Sequence, residues 1–277
     1  MEQKKIQTIF SALLIIIFLT ACSSPVPTAP QTTETQAPPA TSTEIATQPP
    51  VTSDSSLTPA AADSLCTNTY YPVREGATWS YKSTGGPAGE YSFTDTIASV
   101  RQDGFTLSTR MGSLTRTQEW TCTSEGLTAL QLGGAPAAML NSQNIQLNLD
   151  AKNTSGVTFP RQMNPGDQWQ QSVDVDGSVV VANEQGTGSG NAQMNFQAVG
   201  NESVTVPAGT FDAMKVQVDT TLNITVAYEG LSLPVKFSGT YTYWFAPDIG
   251  WVKASGTGSM MGASFSETTE LQSYNLP

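Results

Sequence analysis

Histidine is absent from all 277 residues. This absence removes the general base of Ser-His-Asp and Cys-His catalysis, and the commonest protein ligand of zinc, copper and non-haem iron. The glycine-rich run Gly186–Gly190 has glycine where a nucleophile elbow needs serine. It also fails the phosphate-binding pattern, so we predict that it forms a hairpin tip. The sequence therefore predicts no cofactor, no metal and no enzymatic activity.

Positive charge is scarce as well. The chain has 12 Lys and Arg against 23 Asp and Glu. Without Glu2, Lys4 and Lys5, which lie in the first 21 residues, 22 acids face 10 bases, and the net charge is −12. Nucleic acid and anionic lipid surfaces repel such a chain, so we expect no nucleic-acid partner.

The first residues have the order of an export signal. Lys4 and Lys5 precede an apolar run from Ile9 to Leu19, which has the length of a signal-peptide core but is short for a bilayer span. The run ends in Leu-Thr-Ala-Cys, which resembles the bacterial lipobox, with Cys22 as the acylated residue. We predict a signal peptide at residues 1–21 and a lipid anchor on Cys22. The alternatives are an ordinary signal peptide with an incidental cysteine, or an uncleaved anchor.

A lipidated Cys22 would hold the chain on a membrane, because the two or three acyl chains of a lipoprotein cysteine anchor stably. The protein would then face outside the cytoplasm, on the cell membrane or on an outer membrane. Ser23, the next residue, is compatible with outer-membrane sorting only if the host has two membranes. The oligomeric state is left open.

Residues 22–63 are predicted to be a disordered stalk. From Ser23 to Asp63 the chain is rich in Thr, Pro, Ser, Ala and Gln and has no aromatic residue. Such a composition buries too little apolar surface to offset its ordering entropy. As a coil, its ~40 residues would span roughly 35 Å.

Residues 64–277 are predicted to form one mainly β extracytoplasmic domain. Short runs of alternating polar and apolar residues recur between turn signals such as Asp103-Gly104 and Asp176-Gly177. Only Ala135–Gln143 favours a helical turn. A large antiparallel curved sheet with little helix accounts for this pattern.

One strand-opening motif occurs twice. Tyr71-Pro72 precedes a glycine turn and Trp79, and Phe159-Pro160 precedes a glycine turn and Trp169. In each copy the tryptophan follows three residues after the glycine. Two related sub-sheets would explain the repeat, and chance similarity of turn-and-strand patterns is the alternative.

Three segments resemble a group of secreted bacterial domains of unknown function: Tyr71–Tyr81, which contains the first copy of this motif, Val206–Val216 and Tyr243–Lys253. These domains are similar to TapB-like proteins and to the half-barrel folds of lipoprotein carriers such as LolA. The resemblance implies a half-barrel and brings no catalytic residue. The chain departs from the pattern at Asp248, where glycine is commoner.

With Cys22 taken by lipid, Cys66 and Cys122 are predicted to pair as a disulfide, because exported domains usually oxidise a remaining pair. Two free buried thiols are the alternative. Asp174 and Asp176 share one strand face and, with Asp167, suggest a calcium loop, but Ser178 and Gln185 stand at the later ligand positions. A solvated hairpin is therefore favoured.

Carboxylates are the remaining catalytic candidates. Asp95, Glu119, Glu229 and Glu270 could supply the two acids of a hydrolase, but nothing in the sequence selects a pair. Glu267 and Glu270 near the C-terminus are expected to face water.

Aromatic residues are the best ligand-binding candidates. Tyr241, Tyr243 and Phe245 alternate on one face of a predicted strand, and Trp251 follows in the next. Core packing is one explanation, and an apolar groove for a lipid or lipopeptide is another. A third is glycan binding or adhesion through exposed rings such as Trp169 or Trp251.

Overall fold

The computed structural model describes residues 64–131, 145–181 and 184–277. The predicted signal peptide (1–21), the lipid site at Cys22, the stalk (22–63) and the predicted helical turn at Ala135–Gln143 lie outside the described residues. Every regular element within the described ranges is a β-strand. No helix of those ranges has the length and hydrophobicity needed to cross a membrane.

The described part of the chain contains thirteen strands. In chain order they are β1 (Thr78–Gly85), β2 (Tyr91–Arg101), β3 (Gly104–Met111), β4 (Leu114–Cys122), β5 (Gly126–Ala129), β6 (Ile145–Gly156), β7 (Phe159–Pro160), β8 (Gln168–Val181), β9 (Glu184–Val206), β10 (Gly209–Tyr228), β11 (Leu231–Ala246), β12 (Gly250–Met260) and β13 (Ala263–Asn275).

All thirteen strands belong to one antiparallel sheet, in the order β6-β8-β9-β10-β11-β12-β13-β1-β2-β3-β4-β5-β7. The sheet curls into a half-barrel, which confirms the predicted fold class. Gln171 of β8 is 1% exposed and donates from Nε2 to the carbonyl of Ala129 in β5 at 3.1 Å. It also accepts at Oε1 from Thr158 at 2.8 Å, so side-chain hydrogen bonds connect the two ends of the curled sheet.

The repeated opening motif is a structural repeat. Gly76 and Gly166 both have positive φ angles, 81° and 94°. Their amides donate to the carbonyls of Ile97 at 2.9 Å and Ala198 at 2.7 Å, respectively. In both places the residue that follows the acceptor has no partner in the neighbouring strand, which is a β-bulge. The two halves of the sheet therefore begin with the same turn and the same β-bulge, as two related sub-sheets would.

Two turn predictions are wrong. Asp176 and Gly177 do not form a hairpin, because they lie inside β8 and pair with Ser189 and Gly188 of β9. The run Gly186–Gly190 is likewise part of β9 and not a hairpin tip. Its glycines permit close contact between strands: a β-carbon at Gly190 would overlap the carbonyl oxygen of Asn223.

Two proline-containing turns, at Pro207 and at Pro247, connect long strands of the sheet. β9 ends at Val206 and β10 begins at Gly209, and the second turn joins β11 to β12. In that second turn Asp248 has a φ of 58°. This is the left-handed conformation that glycine adopts most easily and aspartate tolerates better than most residues. The departure from the family pattern at Asp248 thus leaves the turn intact.

Two clusters of buried side chains form the core. The base cluster is rich in aromatic residues and includes Cys66, Trp79, Tyr81, Phe105, Trp120, Leu127, Phe159, Val216, Phe245 and Leu271. The arm cluster is mostly aliphatic and comprises Leu149, Val173, Val175, Val179, Ala192, Leu222, Ile224, Val226, Val235, Phe237, Tyr241 and Met260. A disulfide joins Cys66 and Cys122 within the base cluster, as predicted. It ties the segment before β1 to the end of β4.

Candidate functional site

The half-barrel contains a partly open cavity of about 350 Å³. This volume lies in the range of small-molecule sites, which are mostly apolar with a few placed polar groups. Side chains of both core clusters line it, so it extends from the base cluster into the arm cluster. The polar and charged side chains among its walls include Asp95, Thr109, Arg116, Gln118, Gln131, Thr158, Gln171, Glu267 and Thr269.

The four rings selected from the sequence all line this cavity: Tyr241, Tyr243, Phe245 and Trp251. The predicted alternation of Tyr241, Tyr243 and Phe245 along β11 is confirmed, because Trp244 lies on the opposite face of this strand. There its Nε1 donates to Glu202 at 2.5 Å, and the Lys215 ammonium lies 5.8 Å from its ring centroid. Ligand binding by the four rings stays a prediction.

The rings that line the cavity touch one another in a continuous series. Trp251 stacks on Tyr81 with 4.4 Å between ring centroids, and Tyr81 stacks on Phe93 at 5.1 Å. In the other direction Trp251 lies 5.8 Å from Tyr243, which lies 6.2 Å from Tyr241. We call these five rings the aromatic wall. Mutual packing holds it in place, so its surface exists before any ligand arrives.

The expected exposure of Trp169 and Trp251 is wrong. Both rings are half-buried and face the cavity. Trp169 stacks on Phe196 at 5.1 Å, and its Nε1 donates to the carbonyl of Thr158 at 3.2 Å. Inward-facing positions on curled strands place both rings inside the sheet, so neither offers the exposed platform that a glycan site would use.

The expectation that Glu267 faces water is also wrong, since its side chain is only 6% exposed. Along β13, residues 267, 269 and 271 are buried in alternation and point into the half-barrel. Glu267 Oε1 accepts from Ser83 at 2.5 Å and from Tyr91 at 2.8 Å. Glu270 lies on the outer face, where it pairs with Lys253 at 2.9 Å.

Tyr241 and Glu267 belong to one row across the sheet. Tyr241 of β11 pairs with Gly256 of β12, and Gly256 pairs with Glu267 of β13. A β-carbon at Gly256 would lie 2.6 Å from Cδ1 of Tyr241, so the tyrosine ring lies directly over this glycine. The absence of a side chain at Gly256 therefore lets Tyr241 extend across β12 toward β13.

Three buried polar atoms of the cavity wall have no hydrogen-bond partner among the described residues: Tyr241 Oη, Trp251 Nε1 and Glu267 Oε2. Leaving a buried polar atom unpaired costs about 1–3 kcal/mol, so such groups are rare in folded proteins. Here all three line the same cavity. This concentration marks the aromatic wall and its neighbour Glu267 as the candidate site, which the sequence-based selection of rings found only in part.

The ionisation of the wall tyrosines reflects the same surroundings. Burial, and secondly the charge of Glu267, raises the pKa of Tyr243 to about 12. The same two causes, in the same order, raise the pKa of Tyr91 and of Tyr241 well above the usual value. These hydroxyls therefore stay protonated at neutral pH and remain available as hydrogen-bond donors.

A second polar row crosses β2, β3 and β4. Asp95 pairs with Thr109, and Thr109 pairs with Arg116. Thr109 donates to Asp95 Oδ1 at 2.5 Å. Burial raises the pKa of Asp95 to about 6, with the Thr109 hydrogen bond acting in the opposite direction, and burial lowers the pKa of Arg116.

The backbone positions of the two cavity carboxylates, Asp95 and Glu267, lie far apart along the strands. Asp95 is opposite Trp79 of β1, and Glu267 is opposite Gly85 of the same strand. Six residues along a strand correspond to roughly 20 Å. Hydrolytic pairs lie about 5–9.5 Å apart.

The other predicted acids lie outside the cavity: Glu119 pairs with Arg101 at 2.6 Å, and Glu229 is exposed in a turn. Asp174 and Asp176, the candidate calcium ligands, are exposed, and Asp176 pairs with Lys152 at 2.9 Å. The part of the chain that the structure describes holds no group of three His, Cys, Asp or Glu side chains able to bind a metal ion.

Fold and cavity together define an antiparallel half-barrel with a largely apolar interior. The chain belongs to the DUF3108-like family, whose model matches residues 115–263, or 149 of its 277 residues. No curated protein matches the chain.

Among solved structures, the chain is similar to an exported protein with a YmcC-like fold from Bacteroides fragilis, at 14% identity over 76% of this chain and 100% of that one, with a TM-score of 0.44. It is similar to a lipoprotein from Parabacteroides distasonis, at 16% identity over 76% and 99% of the two chains, with a TM-score of 0.43. The lipoprotein YmcC of Escherichia coli is similar at 9% identity over 73% and 85%, with a TM-score of 0.34. At these scores the likeness supports no functional assignment.

Proposed function

We propose that the chain is a membrane-anchored extracytoplasmic lipoprotein whose half-barrel binds a ligand with an apolar chain, without catalysing a reaction on it. The observation that carries the proposal is the cavity of about 350 Å³ lined by the aromatic wall, with three buried polar atoms left unpaired. An apolar cavity with few, clustered polar groups suits an amphiphile better than a polar solute.

The proposed location on a membrane rests on the lipobox-like sequence that ends at Cys22. Acyl chains on Cys22 would anchor the protein, and the stalk at residues 22–63 would let the domain reach roughly 35 Å from the membrane surface. Membrane lipids and their precursors are the apolar-chain compounds available there. The resemblance to LolA-like half-barrels agrees with a lipid or lipopeptide ligand.

The non-enzymatic part of the proposal rests on the side chains of the cavity. The chain has no histidine, and the backbone positions opposite Asp95 and Glu267 are six residues apart on β1, which does not favour joint action on one bond. Among the described residues, the remaining polar groups of the wall are amides, hydroxyls, indoles and one guanidinium, which can bind and orient ligands.

The test uses decanol, an uncharged alkyl probe, and the full-length chain in a fluorinated maltoside detergent, because fluorocarbon tails mix poorly with alkyl chains and compete little with the probe. Thr220 of β10 lines the cavity and is half-buried, whereas its neighbour Thr221 is exposed on the outer face. Thr220→Trp places a large ring in the cavity and should weaken decanol binding about tenfold or more. Thr221→Trp is the matched control and should bind like the wild type. Isothermal titration calorimetry measures both, and equal affinities in the two variants would reject the cavity as the binding site.

A further inference from the structure

Glu267 is a buried carboxylate without a cation. Among the described residues, no Lys or Arg forms an ion pair with it. Within the described ranges, Arg116 on β4 is the one basic side chain of the cavity wall, and β1, β2 and β3 separate that strand from β13. Buried carboxylates are normally paired with a positive charge, because an unpaired charge is costly in a medium of low dielectric constant.

Hydrogen bonds hold this carboxylate in place through one of its two oxygens. Ser83 and Tyr91 both donate to Oε1, and Thr269 in turn donates to the Ser83 hydroxyl at 3.0 Å. These contacts fix the side chain and use one of its two oxygens. Oε2 has no partner among the described residues, and the side chain contributes to the cavity wall.

Tyr241 supplies a second unpaired group next to this carboxylate. Its ring lies over Gly256, the residue between the two in the cross-strand row, and is 7% exposed. Its hydroxyl can donate or accept, so it can hydrogen-bond a group that is also bound by Glu267. The order of the row places both groups on the same part of the wall.

Aromatic faces surround this part of the cavity. Tyr91, which holds Glu267, lies 6.1 Å from Phe93 between ring centroids, and Tyr243 lies 6.2 Å from Tyr241. Rings around a carboxylate are a suitable environment for an organic cation, since a cation near an aromatic face is attracted by the ring quadrupole. The faces of these rings carry negative charge density, so they do not attract an anionic ligand beside Glu267.

We propose that this part of the cavity binds the protonated amine of an amphiphilic ligand, with the ammonium on Glu267 Oε2 and Tyr241 Oη. The alkyl chain of the ligand would lie along the aromatic wall toward Phe245. Trp251 Nε1, a donor only, would bind an acceptor oxygen of the same ligand. This inference rests on the proposed binding of an apolar chain and names the head group that the cavity selects.

The test compares three probes of equal chain length on the full-length chain in the same fluorinated maltoside: decylamine, decanol and decanoate. Isothermal titration calorimetry should give about tenfold or tighter binding for decylamine than for decanol, and weaker binding for decanoate, because a charge-assisted hydrogen bond favours only the ammonium. Glu267→Gln should remove the preference for the amine and keep decanol binding. Glu270→Gln, three residues along β13 on the outer face, is the control and should keep the preference.

The outcomes separate this inference from the proposed function. If the wild type binds none of the three probes, the proposed apolar site and the amine site both fail. If it binds decylamine and decanol equally, the apolar site stands and the amine site is rejected. Should Glu267→Gln fail to fold, Tyr241→Phe removes one oxygen atom and should still lower decylamine affinity several-fold without changing that for decanol. Unchanged decylamine affinity in that variant would exclude Tyr241 Oη as a ligand group and overturn the proposed site.

Discussion

The base and arm clusters are stabilised in different ways, although one continuous sheet carries both. The base cluster packs stacked rings around the Cys66–Cys122 disulfide, with Trp120 stacked on Phe105 at 5.2 Å between centroids. The arm cluster depends on aliphatic side chains and on glycines that bring strands close together. The cavity has walls from both, so a cross-linked, ring-rich region and a more uniform aliphatic region meet at the candidate site.

The two clusters contribute differently to the rigidity of the domain and to the wall of the cavity. Rings that pack on one another in the base cluster keep the aromatic wall in position, while the arm cluster contributes aliphatic side chains to the cavity wall. We therefore expect changes to the base cluster to cost the most stability, and changes in the arm cluster to cost less.

The largest expected effect is the loss of the disulfide. The bond closes a separation of 56 residues, and such a cross-link contributes about 4 kcal/mol by restricting the unfolded chain. The double variant Cys66→Ser/Cys122→Ser should lose about that much free energy of unfolding in urea titrations. A loss below about 1 kcal/mol would show that the rings, and not the cross-link, hold the base cluster together.

A smaller effect is expected in the arm cluster. Val179 is fully buried, and Val179→Ala deletes two methyl groups, which should cost about 2 kcal/mol of unfolding free energy. Val199 is 45% exposed, and Val199→Ala is the control, with an expected change within about 0.5 kcal/mol. Similar losses in the two variants would contradict the assignment of a packed second core.

The smallest effect concerns Asp95 and pH. Because its folded-state pKa is raised from 3.8 to about 6, the folded protein holds this proton more tightly than the unfolded chain does. The Asp95 contribution to stability is therefore favourable below about pH 4 and becomes unfavourable as pH rises through about 6. Asp95→Asn should raise the unfolding free energy at pH 7.5 by on the order of 1 kcal/mol and have little effect at pH 4.

The control for this effect is Asp212→Asn, at an exposed position of β10. It should leave the pH dependence of stability unchanged. An Asp95→Asn variant that loses stability equally at both pH values would instead assign Asp95 a purely structural hydrogen-bonding role with Thr109.

Period-two patterns made most of the fold predictable from the sequence. The alternation at Tyr241, Tyr243 and Phe245 predicted both the strand and the common face of the rings, because successive side chains of a strand point to opposite sides. Proline-led turns were predictable for a similar reason, since proline sets the backbone of the first turn residue. The disulfide followed from two cysteines in an exported domain.

Long strands and the buried acid were harder to predict. Asp176-Gly177 has good turn chemistry, but pairing with both neighbouring strands carries β8 straight through it. Local propensity cannot show that competition. Glu267 was assigned to water because acids are seldom buried, and β13 was not predicted as a strand. The alternation of Phe265, Glu267, Thr269 and Leu271 was the available signal, and it would have placed Glu267 with the inward residues.

Native mass spectrometry of the full-length chain purified from its own membranes would show whether the cavity holds an apolar chain. We predict a bound species of lipid mass that survives detergent removal in the wild type and in Thr221→Trp, and that is missing in Thr220→Trp. Extraction and fragmentation of that species should show an alkyl chain. A wild-type chain that carries no bound mass, or the same bound mass in all three proteins, would contradict the proposed binding of an apolar chain in the cavity.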